Sequence, residues 1–335
     1  MELTRDYFNE TVLKFYDWCE YPAVKYKILL HFLDAPRNDS RLEDLNLRER
    51  FLYSDIVNEL YETQSFKGNW GALFSKDYSA KALFPTTAVA IDRCLYIGLT
   101  LEDREILSAA LNYLEDYLLG KNTEKLYDKN ERAIPWQFAD IANLTEAVKP
   151  YNPLCDTIWN QWFYIVSRTF GTGVYSYETD AACQHDMFLT REKRLVPLPI
   201  SLLLKRHDEI PAVLEKSMLD HYGKHAYEKG HFWDKNLINL PDSFQNKYCR
   251  RWFFPINYIN QFKNNREYLD GAINWLMKSQ IKNGFWDWGP QVKDPWGYFY
   301  YLSTTKSYAY NRIVNCTAEV LTIFKKYLDN NLYSK

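Results

Sequence analysis

A seven-residue pattern, Gln-x3-Gly-x-Trp, occurs twice in the chain, once near each end. It reads QSFKGNW at 64–70 and QIKNGFW at 280–286. The two glycines, Gly68 and Gly284, are 216 residues apart in a chain of 335 residues. Self-similarity of this kind indicates an architecture built from repeated units, each needing the same local contacts.

Glycines between the two motifs divide this distance into nearly equal steps of 52, 53, 57 and 54 residues. The five glycines are Gly68, Gly120, Gly173, Gly230 and Gly284. The aromatic position of the motif is kept only in part. Tyr175 stands two residues after Gly173, whereas Trp233 follows Gly230 one position late. The sequence therefore predicts about six repeats of roughly 54 residues.

Helical periodicity surrounds these glycines. Apolar residues recur at three- and four-residue steps before the turns, at 47–64, 102–119 and 269–280, and after them, at 86–99 and 311–328. Glycine at a helix end enters the left-handed backbone region without a Cβ clash. No segment shows the alternation and turn signals of a hairpin. Each repeat is thus predicted to be a helix–turn–helix pair in an all-α protein.

Six antiparallel helix pairs that bury faces on their neighbours can close into a ring. We expect an (α/α)6 toroid around a central cavity, formed by 1–335 as a single domain, with helices in about 1–45 completing the ring. The alternative is an open α-solenoid with a concave face. The repeat count favours the ring, as does an aromatic content of 17%, which exceeds the need of thin stacked layers.

The motif resembles the Gln-Trp repeats of the terpenoid cyclase and protein prenyltransferase superfamily. The resemblance rests on QSFKGNWG and QIKNGFWDWG and on their flanking helices, and it covers about 20–120 and 225–330. It implies a squalene-cyclase-like toroid in which the Gln and Trp of each motif tie helices together. Gln64, Trp70, Gln280 and Trp286 are therefore expected to be structural.

Charge and composition exclude some functions. The net charge is −2 with no extended basic stretch, so we expect no nucleic-acid partner. The N-terminus lacks an apolar signal core, and six scattered cysteines fit a reducing cytoplasm. No apolar run approaches the ~20 residues of a membrane span. The run VPLPISLLL at 196–204 is a candidate for peripheral membrane contact. The oligomeric state is open.

The resemblance implies two ways of starting a cyclisation, and neither the Asp-x-Asp-Asp nor the Asp-Asp-x-x-Asp motif is present. The nearest match places Asp180 as the acid and Glu178 as the first carboxylate, while an alanine replaces the last. A neutral carboxyl in an apolar cavity has a raised pKa and can protonate an alkene. His185 and Asp186 are candidates to orient it. The alternative is a helix start capped by Thr179 or Asp180.

We expect no cofactor. Prenyltransferases of the family hold zinc with an Asp, a Cys and a distant His, and the spacing of Asp180 and Cys183 departs from that pattern. The weak metal candidates are Cys183, His221, His225 and His231.

Aromatic clusters supply the candidate substrate-binding residues, because their faces stabilise carbocations and stack on sugars. These residues are Trp136, Trp159, Trp162, Tyr175, Trp252, Phe253, Tyr298 and Tyr300. The preferred hypothesis is an enzyme of terpenoid-cyclase type that binds a small apolar, isoprenoid-like ligand and starts cyclisation by protonation.

Two alternatives stay open. A toroid without catalysis could bind lipid or protein, since the standard cyclase motifs are absent. A carbohydrate-active toroid would need paired carboxylates in its cleft. The hints for it are Asp287 beside Trp288 and Asp234 beside Trp233.

Overall fold

The structure is a computed structural model that describes residues 2–36, 39–44, 46–74, 86–122, 134–188, 197–226, 236–244, 249–289, 302 and 309–331. These residues form fifteen α-helices and contain no strand, so the chain is all-α, as predicted. Among the helices described, none combines the length and apolar character needed to cross a bilayer.

The helices are numbered in chain order. They are α1 Arg5–Trp18, α2 Pro22–Lys27, α3 Ser40–Asp44, α4 Leu47–Leu52, α5 Asp55–Thr63, α6 Thr87–Ile97, α7 Ile106–Leu118, α8 Ile134–Val148, α9 Asp156–Thr169, α10 Tyr177–Phe188, α11 Ile200–Leu203, α12 Ala212–Lys224, α13 Cys249–Ile259, α14 Arg266–Lys278 and α15 Ala309–Asn330. A π-helical turn, Ile28–Phe32, continues α2. Two 3-10 turns, Pro153–Cys155 and Leu204–Glu209, precede α9 and follow α11.

The chain forms two compact units. Unit 1 consists of Met1–Glu59, Tyr96–Gly98 and Tyr222–Lys335. Unit 2 consists of Leu60–Leu95 and Leu99–His221. Unit 1 therefore combines helices from both ends of the chain, whereas unit 2 is built from its middle.

The first copy of the motif closes the turn after α5, in unit 2. The Gln64 side-chain amide donates to the Gly68 carbonyl at 2.9 Å, and the Trp70 indole donates to the Leu60 carbonyl in α5 at 2.9 Å. The backbone N–H of Trp70 donates to the hydroxyl of Thr87, the first residue of α6, at 2.9 Å. The motif thus connects one helix to the start of the next.

The second copy makes the same three contacts in unit 1. The Gln280 amide donates to the Gly284 carbonyl at 2.7 Å, and the Trp286 indole donates to the Leu276 carbonyl of α14 at 2.7 Å. The Trp286 N–H donates to the Thr317 hydroxyl in α15 at 3.2 Å. These contacts satisfy buried polar groups at each turn, so the motif residues have the structural role expected of them.

Four of the five predicted turn glycines share one turn conformation. In each, the glycine N–H donates to the carbonyl three residues earlier, and φ is positive. They are Gly68 (87°), Gly120 (69°), Gly173 (84°) and Gly284 (85°). The prediction of equivalent helix-pair turns is confirmed for these four, and Gly230 lies outside the described residues.

One predicted helix is divided in the structure. The apolar periodicity of 47–64 predicts a continuous helix, but α4 ends at Leu52 and α5 begins at Asp55. Between them, the Ser54 hydroxyl donates to the Phe51 carbonyl at 2.6 Å. Serine competes with the helix for a backbone acceptor, and this contact takes the place of the next helical hydrogen bond.

Candidate functional site

Helix α8 of unit 2 is buried except along one narrow stripe. Between residues 139 and 148, the side chains with solvent access are Asp140, Asn143 and Ala147, and every other residue is buried. Trp136, also partly accessible, lies one turn earlier on the same face. A helix on an open protein surface exposes a much broader polar face. We call these four residues the α8 stripe.

Asp140 is the titratable group of the α8 stripe. Burial raises the pKa of its carboxyl to about 7, and no other group opposes or adds to this effect. Within the described part of the chain, the carboxyl has no hydrogen-bond or ion-pair partner. A carboxyl that touches solvent and is still poorly hydrated lies in a recess, because a convex surface would hydrate it fully.

Asn143, one turn along the stripe, carries an unpaired polar atom. Its side-chain carbonyl oxygen is buried and accepts no hydrogen bond from the described residues. Leaving such an atom unpaired costs about 1–3 kcal/mol in a folded protein. A donor supplied by a bound molecule would remove this cost, which makes the α8 stripe a candidate ligand site.

A second accessible carboxyl in unit 2 is Asp92, on α6. It is exposed, and yet burial by surrounding protein raises its pKa to about 6, with the nearby charge of Lys205 opposing the rise. Burial likewise lowers the pKa of the Lys205 ammonium, while Asp92 and Glu146 act against the decrease. Asp92 and Lys205 therefore form an electrostatically coupled pair in a poorly hydrated place.

The two carboxyls divide the acid–base roles by their pKa values. At a pH between about 6 and about 7, Asp92 is mainly ionised and Asp140 is mainly protonated. Two carboxyl groups whose surroundings separate their pKa values in this way can serve as base and acid in one reaction.

The raised pKa of Asp140 has a measurable effect on stability. The folded state disfavours the ionised carboxyl, so a cost appears above the unfolded pKa of ~4 and is complete above the folded pKa of about 7. We expect Asp140→Asn to raise Tm by a few degrees at pH 8 and to leave it nearly unchanged at pH 4. Scanning calorimetry at both pH values tests this, with Asp116→Asn, an exposed carboxyl on α7, as control. An equal effect at both pH values would contradict the assignment.

Asp180, the acid predicted from the sequence, is buried at the start of α10 with 2% exposure. The Tyr175 hydroxyl donates to one carboxylate oxygen at 2.7 Å, and the Gln184 amide donates to the other at 2.8 Å. Burial raises the pKa of Asp180, and these two hydrogen bonds act in the opposite direction. Asp180 thereby fixes the position of Tyr175, whose ring stacks on His221 at 4.4 Å.

The other predicted polar residues near Asp180 lie apart from it. Glu178, His185 and Asp186 are exposed on α10, whereas Asp180 is on its buried side. The prediction that Thr179 or Asp180 caps this helix is wrong, because the Ser176 hydroxyl accepts the Thr179 N–H at 3.2 Å.

The predicted aromatic residues separate into two groups. Four are in the core with at most 2% exposure: Trp159, Trp162, Trp252 and Phe253. Trp136 and Tyr175 are partly accessible, and Trp136 belongs to the α8 stripe. Tyr298 and Tyr300 lie outside the described residues.

The remaining candidates are the metal ligands and Asp287. Across the described ranges, no group of three His, Cys, Asp or Glu side chains is placed to hold a metal ion. Cys183, His221 and His225 are partly accessible, and His231, Trp233 and Asp234 are outside those ranges. Trp288 is buried, and Arg312 holds both oxygens of its neighbour Asp287 at 3.1 Å.

No family model, curated protein or solved structure matches this chain.

Proposed function

We propose that the protein is an enzyme that acts on a small polar substrate in unit 2 by general acid–base catalysis. Asp140 is the acid and Asp92 the base. The observation that carries the proposal is the Asp140 carboxyl, which is accessible, has no partner among the described residues and has a pKa of about 7. A general acid with its pKa near the working pH combines a sufficient protonated fraction with a strong tendency to donate.

The polar groups around Asp140 favour a hydroxyl-bearing, sugar-like substrate. The unpaired oxygen of Asn143 needs a donor such as a substrate hydroxyl. The coupled pair of Asp92 and Lys205 can likewise bind hydroxyls. A hydrocarbon substrate would leave these groups unpaired, which costs several kcal/mol. The indole of Trp136, one turn from the acid, offers a face on which a sugar ring can stack.

We also propose that the helix pairs close into an (α/α)6 toroid. The four turns with the same glycine geometry support repeated helix pairs. Helices α6 and α8 each follow such a turn and expose only a narrow stripe, as the inner helices of a ring would. In that arrangement the stripes line the central cavity.

A second candidate function is protonation-initiated cyclisation of an isoprenoid, the reaction implied by the motif resemblance. It is favoured by the Asp140 carboxyl, which is protonated below pH 7 and has no described partner that would hold it ionised. In this case Asp140 would protonate an alkene, and Trp136 would stabilise the resulting cation through its ring.

The test is product analysis after incubation with a panel of oligosaccharides, prenyl diphosphates and squalene-like hydrocarbons. We expect turnover of a saccharide, and a loss of about 10²-fold or more in Asp140→Asn with normal activity in Asp116→Asn. The pH–rate profile should be bell-shaped, falling below about pH 6 as Asp92 is protonated and above about pH 7 as Asp140 ionises.

The other outcomes are distinct. An isoprenoid product that disappears in Asp140→Asn would move the assignment to the cyclase. A retained ligand without turnover would support a binding module, and full activity in Asp140→Asn would refute the role of this acid.

A further inference from the structure

We infer that Lys27 of unit 1 is a nucleophilic lysine that binds a small aldehyde or ketone as an imine. This site is independent of the proposed function, because it shares no residue with the α8 stripe and belongs to the other unit.

Lys27 is placed unusually for a lysine. It is the last residue of α2, immediately before the π-helical turn, and only 4% of it is exposed. Its ammonium nitrogen donates to the backbone carbonyl of Tyr96 and lies 3.5 Å from the centre of the Tyr96 ring. The ring of Phe32 is 5.7 Å away. The amine therefore lies in a largely aromatic environment, in the last turn of α6.

The hydrogen bonds of this amine fit its neutral form. A charged ammonium carries three N–H donors, and in the described part of the chain this one has a single acceptor, the Tyr96 carbonyl. Burial lowers the pKa of Lys27 to about 7, although the carboxyl of Glu319 favours the charged form. Near neutral pH a large fraction of Lys27 is thus an unprotonated amine with a free lone pair, the form that attacks carbonyl groups.

Glu319, on α15, is the acid that such a reaction needs. Burial raises its pKa, and the Asn257 amide donates to it at 3.1 Å. It makes no direct ion pair with Lys27 in the described structure, so its second oxygen is not held by that amine. His31, in the π-helical turn, feels the charge of Lys27, and burial lowers its pKa to about 4, so it stays neutral.

The route to the amine is given by exposure. Asn257 is exposed, Glu319 is partly accessible, and Lys27 lies behind them with 4% exposure. A small carbonyl compound that approaches past Asn257 meets the carboxyl first and the amine next. A larger one would be excluded by the rings around Lys27.

The reaction balances with these groups alone. The Lys27 nitrogen attacks the carbonyl carbon, a C–N bond forms, and one amine proton passes to the carbonyl oxygen to give a carbinolamine. Protonated Glu319 then donates to that hydroxyl, which leaves as water as the C–O bond breaks. The product is an iminium ion that keeps one N–H and is balanced by the glutamate carboxylate. No oxidant, reductant or metal takes part.

The test is reductive trapping of the full-length protein with butanal and cyanoborohydride at pH 7, followed by peptide mapping. We expect Lys27 to be modified at least about tenfold faster than Lys216, an exposed lysine on α12, because ordinary lysines are almost fully protonated at this pH. Glu319→Gln should slow the labelling of Lys27 several-fold and leave Lys216 unchanged. Far-UV circular dichroism checks that this variant is folded.

The inference fails if Lys27 stays unmodified while surface lysines react, or if it reacts no faster than Lys216. It also fails if labelling of Lys27 does not accelerate relative to Lys216 when the pH is lowered from 9 to 7. Lys27→Met should remove the modified peptide. If that variant does not fold, the wild-type pH series and Glu319→Gln decide the question without it.

Discussion

Replacing Glu146 by alanine is expected to destabilise the protein by about 3–5 kcal/mol, because it leaves a buried guanidinium without its main partner. The side chains of Arg206 and Glu146 are 5% and 0% exposed. Both Nε and Nη2 of Arg206 donate to one oxygen of Glu146, and the Tyr151 N–H donates to the other at 2.7 Å. The remaining close partner of Arg206, Asp156 at 2.8 Å, is half exposed and cannot compensate fully.

Chemical denaturation of the two proteins measures this loss. The control is Glu209→Ala, which removes a carboxylate 3.7 Å from the same Arg206 but 40% exposed, and should cost less than about 1 kcal/mol. In the double variant Glu146→Ala with Arg206→Met the buried charge is gone, so part of the stability should return. A loss below 1 kcal/mol in Glu146→Ala alone would show that solvent reaches the guanidinium.

Gly68→Ala is expected to cost about 3 kcal/mol or more, from two separate effects. The residue has φ of 87°, where a Cβ is strained by about 1–2 kcal/mol. The new Cβ would also lie 2.1 Å from the carbonyl oxygen of Ala109 in α7. Since that neighbour is helix backbone rather than a flexible side chain, the turn and α7 must separate, which costs a further ~1–3 kcal/mol.

Gly284→Ala separates the two effects. Gly284 has the same backbone conformation, with φ of 85°, but the nearest atom to a new Cβ is the Lys14 amine at 4.0 Å. Only the conformational cost of about 1–2 kcal/mol should remain. Denaturation curves of both variants test the comparison, and equal losses would mean that α7 does not press on the first turn.

The repeat was predictable from the sequence because its contacts are local. Gln64, Gly68 and Trp70 are close in the chain and bond to one another's segments, so their spacing carries the geometry. The start of α7 was not predictable in this way. The apolar period extends through Arg104 and Glu105, whose left-handed backbone delays the helix to Ile106. A periodicity of side chains contains no information on such backbone conformations.

The candidate site was not found from the sequence. Searching for known acid motifs led to Asp180, and Asp140 was overlooked because it stands alone in an apolar helix without a motif. The signal was present as a single carboxylate within IPWQFADIANL, where a charge is costly unless it has a role. Whether such a carboxyl faces a recess depends on helices distant in sequence, so the raised pKa could be derived only from the structure.

The composition of unit 1 from both ends of the chain determines when it can fold during synthesis. The segment Met1–Glu59 belongs with Tyr222–Lys335, and Arg5 of α1 pairs with Asp329 of α15 at 2.7 Å. At ~5–20 residues per second, the ribosome needs roughly 10–30 s to make the intervening chain. During that time the apolar side of α1, with Phe8 and Phe15, lacks its C-terminal partners and is open to chaperones or to aggregation. The middle unit can be complete before the first helices find their place.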